Sequence, residues 1–167
     1  AIKDLIVSFK DPRNINIGQK IFINNKNELS ISDIKEETFI KYKEILMKNL
    51  VPFSTEDLLE NKSLLLENNI ENLQAIDWDK GCYIGQEITA RMKYRSLLKK
   101  KIYALEIKDG SPLIGQLIKD DESEFGKIIS IKNNSVLAML KIELAEKKIN
   151  TKQKIKTNEG LVLEFIL

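Results

Sequence analysis

Two periods take turns along the chain. IKDLIVSF (2–9) alternates as a strand already under way at Ala1; it turns at Asp11-Pro12-Arg13-Asn14 and is answered by GQKIFI (18–23), which predicts a hairpin. The period then lengthens: Ile34, Phe39, Tyr42, Ile45, Leu46 and Leu50 recur at helical spacing with charges between them. Pro52 ends that helix, because it lacks an amide donor and restricts the residue before it. Ser54 and Thr55 are placed to cap a second, shorter helix through Leu58-Leu59. LLLENNIENLQAIDW (64–78) mixes apolar anchors with asparagine-rich turns and predicts no regular element. Helical spacing returns with Ile84, Ile88 and Met92, on a helix beginning near Gly85.

Beyond residue 98 the texture is β. KIYALEIK (101–108), LIGQLIK (113–119), FGKIISIK (125–132) and SVLAMLKIEL (135–144) are short and rich in β-branched residues, with Gly, Pro, Asp and Asn between them. KQKIKT and LVLEFIL close as a hairpin about Asn158-Glu159-Gly160. Five to six such strands predict a small antiparallel barrel or sandwich, and the change of texture places a boundary at 97/98. The expected class is α+β, with an α+β piece over 1–97 and a β-barrel over 98–167.

Composition narrows the chemistry. The 27 Lys+Arg and 25 Asp+Glu leave a net charge of +2, too balanced to imply a nucleic-acid partner by itself. The absence of histidine excludes His-based catalytic triads, HExxH zinc sites and Cys/His zinc fingers, and no metal site is expected. One cysteine makes no internal disulfide, and no apolar run is long enough to span a bilayer, so a cytoplasmic protein is expected. Because the chain opens in mid-strand, it is expected to be the carboxy-terminal part of a longer protein.

That single cysteine stands in KGCYIGQE (80–87), between Gly81 and Gly85. Placed just outside the amino terminus of the helix near Gly85, with Lys80 and Arg91 adding positive charge, Cys82 would have the surroundings that favour a thiolate. Tyr83 and Ile84 would pack inward, and Glu87 would pair with Arg91 one turn on. The residues leave a second reading open: a small buried hydrophobe filling a gap.

KGCYIGQEITARMKYR resembles the signature of the YgfZ family, a Lys-Gly-Cys-Tyr/Phe-x-Gly-Gln-Glu segment followed by an Ala/Ser-Arg pair, here Lys80 to Glu87 and Ala90-Arg91. DPRNINIGQK, the approach to the motif, and GQLI, FGKIIS and LAMLKIE resemble further stretches, so the likeness runs along essentially the whole chain. Leu50-Val51-Pro52 stands where that family often has Gly-Ile-Pro. The resemblance implies a relative of the glycine-cleavage T-protein, with the remnant of a folate-binding α+β body followed by a β-barrel, and tetrahydrofolate as cofactor. It also implies support for the assembly or repair of iron–sulfur proteins, including enzymes that modify tRNA. The partners would be iron–sulfur assembly machinery, client enzymes and an amino-terminal half of the same protein.

On this reading Cys82 is the reactive thiol and Lys80 its companion in the catalytic set. Gly81, Tyr83, Gly85, Gln86, Glu87 and Arg91 form a cofactor-binding motif loop, facing a cleft between the two parts. Two other functions stand beside it. One is a true folate-dependent aminomethyltransferase, set back because KGCYIGQE belongs to the other branch. The other is an RNA-binding module on residues 91–101, which carry six basic residues and no acid; such a run is more often a solvated face.

Overall fold

The computed structural model describes residues 5–23, 37–95, 97–120 and 123–166. The opening residues 1–4, and Ile34 at the start of the expected first helix, lie outside the described residues. Strands β1 (Leu5–Lys10) and β2 (Gln19–Ile23) pair antiparallel as a separate two-stranded sheet. Their connection holds together through Asp11, which is buried. Its carboxylate accepts from the Arg13 backbone at 3.0 Å and from the Arg13 guanidinium at 3.0 and 2.7 Å, with Lys20 at 3.4 Å. Arg13 first, then its neighbouring charges, hold the Asp11 carboxyl well below the usual carboxylate range despite its burial. Arg13 also donates to the Tyr42 hydroxyl at 3.2 Å, which ties the hairpin to the next element.

That element is α1 (Phe39–Lys48), whose N-cap Thr38 accepts from the Lys41 amide. Its end is a Schellman motif: Val51 N–H donates to Leu46 C=O at 2.9 Å and Leu50 N–H to Met47 C=O at 3.0 Å. The motif needs a left-handed residue, and Leu50 takes it at φ +53°, where a glycine would be at ease. What holds a leucine there is packing. Leu46 and Val51 are buried across the motif, and Leu50 and Met47 lie against Ile102 and Leu137 of the large sheet.

The second helix is shorter than expected and capped differently. α2 spans Ser54–Asp57, so Leu58-Leu59 falls outside it. Neither Ser54 nor Thr55 caps it; the Asp57 carboxylate reaches back to accept the Phe53 N–H at 2.7 Å. Residues 60–74 run as successive turns, with Asn61, Asn69 and Gln74 left-handed and Leu66 and Asn68 buried.

The remaining strands are β3 (Lys100–Asp109), β4 (Leu117–Asp120), β5 (Ser123–Lys132), β6 (Ser135–Lys141), β7 (Ile155–Lys156) and β8 (Val162–Phe165). They form one antiparallel sheet in the order β4-β5-β6-β3-β8-β7. Irregular register at Ile118/Lys119, Ile128/Ser130 and Ile107/Asp109 bends it, and β4 comes round against β7, so the sheet nearly closes into a barrel. Lys148 pairs with Asp120 at 2.6 Å near that seam. Leu105, Ile118, Val136, Leu140, Ile155 and Leu163 are fully buried inside. Gly126 has no room for a side chain, since a Cβ there would lie 2.1 Å from the Met139 carbonyl oxygen.

Two expectations are corrected here. SVLAMLKIEL is not one strand: β6 stops at Lys141 and α4 (Ile142–Asn150) follows, burying Ala145 and packing Leu144 and Ile149 on the barrel core. Leu-Ala-Glu-Lys-Lys is a run of strong helix formers, and that preference overrides the β-like start. Likewise 113–116 is a turn, and β4 begins only at Leu117, because Gly115 adopts φ +86°.

Candidate functional site

The KGCYIGQE segment folds as a loop running into α3 (Gln86–Tyr94). Gly85 occupies the N-cap at φ +88° and ψ −5°, a conformation that strains any residue with a Cβ. It lets the chain fold back on itself: Gln86 N–H donates to Tyr83 C=O at 3.2 Å, and Tyr83 N–H donates to Gln86 Oε1 at 3.2 Å. Gln86 thus closes the turn that precedes the helix. Glu87 and Arg91 pair one helical turn apart at 2.5 Å.

Cys82 sits three residues before Gly85 and is exposed, which sets aside its reading as a gap-filling hydrophobe. Lys80 lies over the Tyr83 ring at 4.7 Å, a cation–π contact, and Arg91 is held by Glu87. The inward packing expected of Ile84 does not occur. Ile84 is fully exposed and Ile88 is 59% exposed; only Thr89 and Met92 of this helix are buried. The helix therefore rests on a narrow contact and shows an apolar face beside the thiol. Two clefts, about 460 and 470 Å³, are lined by residues outside 80–91.

A clamp that sequence spacing does not reveal holds the far side of this loop. Trp78 donates through its indole N–H to Glu71 at 3.0 Å, Lys93 pairs with the same Glu71 oxygen, and the Lys93 ammonium lies 4.0 Å from the centre of the Trp78 ring. Tyr94 meets Trp78 edge-on at 5.9 Å. Residues 71–78 are thereby fastened to α3, and the loop carrying Cys82 spans the two fastened points.

The basic run 91–101 is largely engaged. Arg91 faces Glu87, Lys93 faces Glu71, Lys100 lies 3.9 Å from Glu67, and Lys101 sits over the Tyr103 ring at 5.2 Å. Arg95 and Lys99 remain, which is a small footprint for a phosphate backbone.

The first cleft, about 460 Å³, is an open basic groove by the barrel seam, lined by Asp120, Lys148, Gln153, Lys154 and Lys156. The second, of about 470 Å³, lies between the 56–68 stretch and β4–β5. No described helix is long and apolar enough to cross a membrane.

No protein-family model matches the chain. Among curated proteins, it is 25% identical over 159 residues to the mitochondrial iron–sulfur cluster assembly factor IBA57 of Homo sapiens, covering 92% of this chain and 44% of the human protein. It is 31% identical to the tRNA-modifying protein YgfZ of Buchnera aphidicola, covering 61% of this chain and 43% of that protein. It is 30% identical over 95 residues to the mitochondrial IBA57 homologue of Neurospora crassa, covering 55% of this chain and 21% of the relative. The chain thus spans less than half the length of these curated relatives. The expectation of a cytoplasmic protein is overturned by these names, since the IBA57 relatives are mitochondrial. A chain with one cysteine forms no internal disulfide and so needs no oxidising compartment, which does not single out the cytoplasm. The signature at Lys80–Arg91 and the similarity along the chain agree: this protein is a homologue of the IBA57 and YgfZ proteins.

Proposed function

We propose that this protein is an accessory factor in the assembly or repair of iron–sulfur proteins, with Cys82 as its working thiol. The observation that carries the proposal is the exposed placement of the chain's single cysteine, on a glycine-shaped turn ahead of α3, in a homologue of iron–sulfur cluster assembly factors. Exposure matters because a lone thiol supplies one ligand of a cluster at most, so the other ligands come from a partner that must reach it. The Lys80–Tyr83 contact, the Gln86 turn and the Glu87–Arg91 pair hold the loop in the presented form. The apolar face of Ile84 and Ile88 beside the thiol gives a client or carrier protein a surface to settle on.

The family resemblance implies tetrahydrofolate as cofactor. Gly81, Gly85, Glu87 and Arg91 are exposed and Tyr83 and Gln86 are half-buried, so the motif loop by itself offers an open surface to a folate. No step of the proposal runs through that cofactor. We read residues 1–97 as the piece that presents the motif and 98–167 as the barrel that supports it.

The test is complementation of a strain defective in iron–sulfur protein maturation by this chain and by its Cys82→Ser variant, scored by client-enzyme activity. The wild-type chain should restore activity and the serine variant should not, at equal soluble protein. Full rescue by the serine variant sinks the assignment of Cys82.

A further inference from the structure

We infer that the basic groove at the barrel seam is a docking site for an acidic segment of a partner protein, a short stretch bearing several Asp or Glu side chains. The inference is independent of the thiol loop, which contributes no residue to this groove. Three observations carry it.

The first is how charge is distributed. Residues 147–156 carry five lysines and no acid, in a chain whose net charge is only +2. Lys148, Lys154 and Lys156 line the groove against one acid, Asp120. Asp120 is matched by Lys148, and Lys154 shares Glu164 with Lys108, at 3.4 and 3.2 Å. Lys147, Lys152 and Lys156 are exposed and have no ion-pair partner among the described residues. The groove therefore holds uncompensated positive charge, which attracts and orients a segment of opposite sign.

The second is backbone strain. α4 ends in a Schellman motif, with Gln153 N–H donating to Lys148 C=O at 2.9 Å and Lys152 N–H to Ile149 C=O at 3.0 Å. Lys152 takes the left-handed position at φ +52°, where glycine or asparagine would be at ease. Unlike Leu50 in the equivalent place after α1, it is exposed, so packing does not account for it. A charged residue kept at a strained, exposed position points to a use for the charge.

The third is the make-up of the lining, which favours carboxylates on a peptide over a nucleic acid. No lining residue is aromatic, so bases have nothing to stack on, and no arginine is present to grip a phosphate through two parallel bonds. Asp120 sets a fixed negative charge in the wall. A phosphodiester chain brings a charge past it at every unit. A peptide passes it with a neutral backbone and carries its charges on side chains that can turn toward the lysines. Gln153 offers an amide to that backbone, and at about 460 Å³ the groove has room for a short stretch.

The experiment uses the full chain, labelled with nitrogen-15, titrated with a hexaglutamate peptide and, as an uncharged control, with hexaglutamine. The expected result is saturable amide shifts at Gln153, Lys154 and Lys156 with hexaglutamate, weakening as salt is raised, and at least tenfold weaker binding of hexaglutamine. Lys156→Glu should weaken hexaglutamate at least tenfold. Lys62→Glu, the same change of charge outside the groove, should leave its affinity within twofold. Lys152→Gly, which relieves the backbone, should bind at least threefold more weakly while melting no earlier than the wild-type chain. Equal binding of the two peptides, equal weakening by Lys156→Glu and Lys62→Glu, or no saturable shifts at millimolar hexaglutamate overturns the inference. So does tighter binding, at the same amides, of an oligouridylate of matched charge or of phosphatidylserine vesicles, either of which would make the groove a phosphate site.

Discussion

The barrel and the thiol loop solve opposite problems. In the barrel, Leu105, Val136, Leu140, Ile155 and Leu163 are fully enclosed, and neighbouring strands satisfy each other's backbone. Around Cys82 the large side chains Ile84 and Ile88 stand in solvent, and local order comes from polar and cation–π contacts at a few points. Burial of apolar area stabilises in proportion to the area, whereas exposed ion pairs contribute about 0–1 kcal/mol each. Stability is therefore concentrated in one region and presentation of chemistry in the other. The β1–β2 hairpin is intermediate: it has its own buried Asp11–Arg13 centre but leaves Val7, Phe9 and Phe22 partly bare.

That contrast can be broken at its strongest point. Leu163→Ala removes a fully enclosed side chain from β8 and should cost about 3–4 kcal/mol, measured by urea denaturation. A loss below about 1 kcal/mol would mean the barrel core tolerates cavities and is not the seat of stability.

Asp11→Ala should come next. Removing the acid strands Arg13 in a partly buried place and should cost about 3 kcal/mol locally. Hydrogen exchange should quicken in β1 and β2 while β3 and β6 stay protected; equal quickening in both would merge the hairpin with the barrel.

Glu44 sharpens the boundary between α1 and the barrel. It is buried, salt-bridged to Lys48 at 2.6 Å, and accepts from Asn133 in the β5–β6 turn at 2.8 Å. Lys48 first, then Asn133, lower its carboxyl from about 4.5 to about 2. Because the folded form holds the proton less tightly, this stabilisation is present above the ordinary value and is lost as pH falls from about 4.5 toward 2. Melting temperature should drop across that window, and Glu44→Gln should flatten the drop while costing about 1–2 kcal/mol at neutral pH. An unchanged acid slope in the variant would remove Glu44 from the account.

The smallest stability effect belongs to the residue with the largest proposed role. Cys82→Ser changes an exposed atom and should move the melting temperature by no more than about 1–2 °C, within the surface-substitution range. A fall of several degrees in calorimetry would make Cys82 part of the structure.

Much of this division is legible in the residues. Strands β3, β5, β6 and β8 announce themselves by alternation and by turn residues, and the start of α3 by Gly85. The start of α2 and the existence of α4 are harder, because helix propensity at 142–150 competes with a strand-like lead-in and Asp57 caps backward from inside its helix. Leu50 shows a different difficulty: its left-handed backbone is dictated by burial of Leu46 and Val51, which no local rule for leucine would suggest. The motif at 80–87 is contiguous and so was readable. The Trp78–Glu71–Lys93 clamp and the cleft between the 56–68 stretch and β4–β5 join residues far apart in the chain, and only folding brings them together.

The clamp has a spectroscopic consequence. Trp78 is the chain's only tryptophan, and it is fastened beside the loop that carries the only cysteine, with an ammonium group over its ring. Its emission is therefore a built-in lamp for the thiol loop, while the barrel, which has none, stays dark. Arrival of a partner, alkylation of the thiol or release of Lys93 can each be followed optically without any attached dye. Melting followed by emission and melting followed by far-ultraviolet dichroism report on different parts of one molecule, and the gap between the two curves measures how independently the loop comes undone.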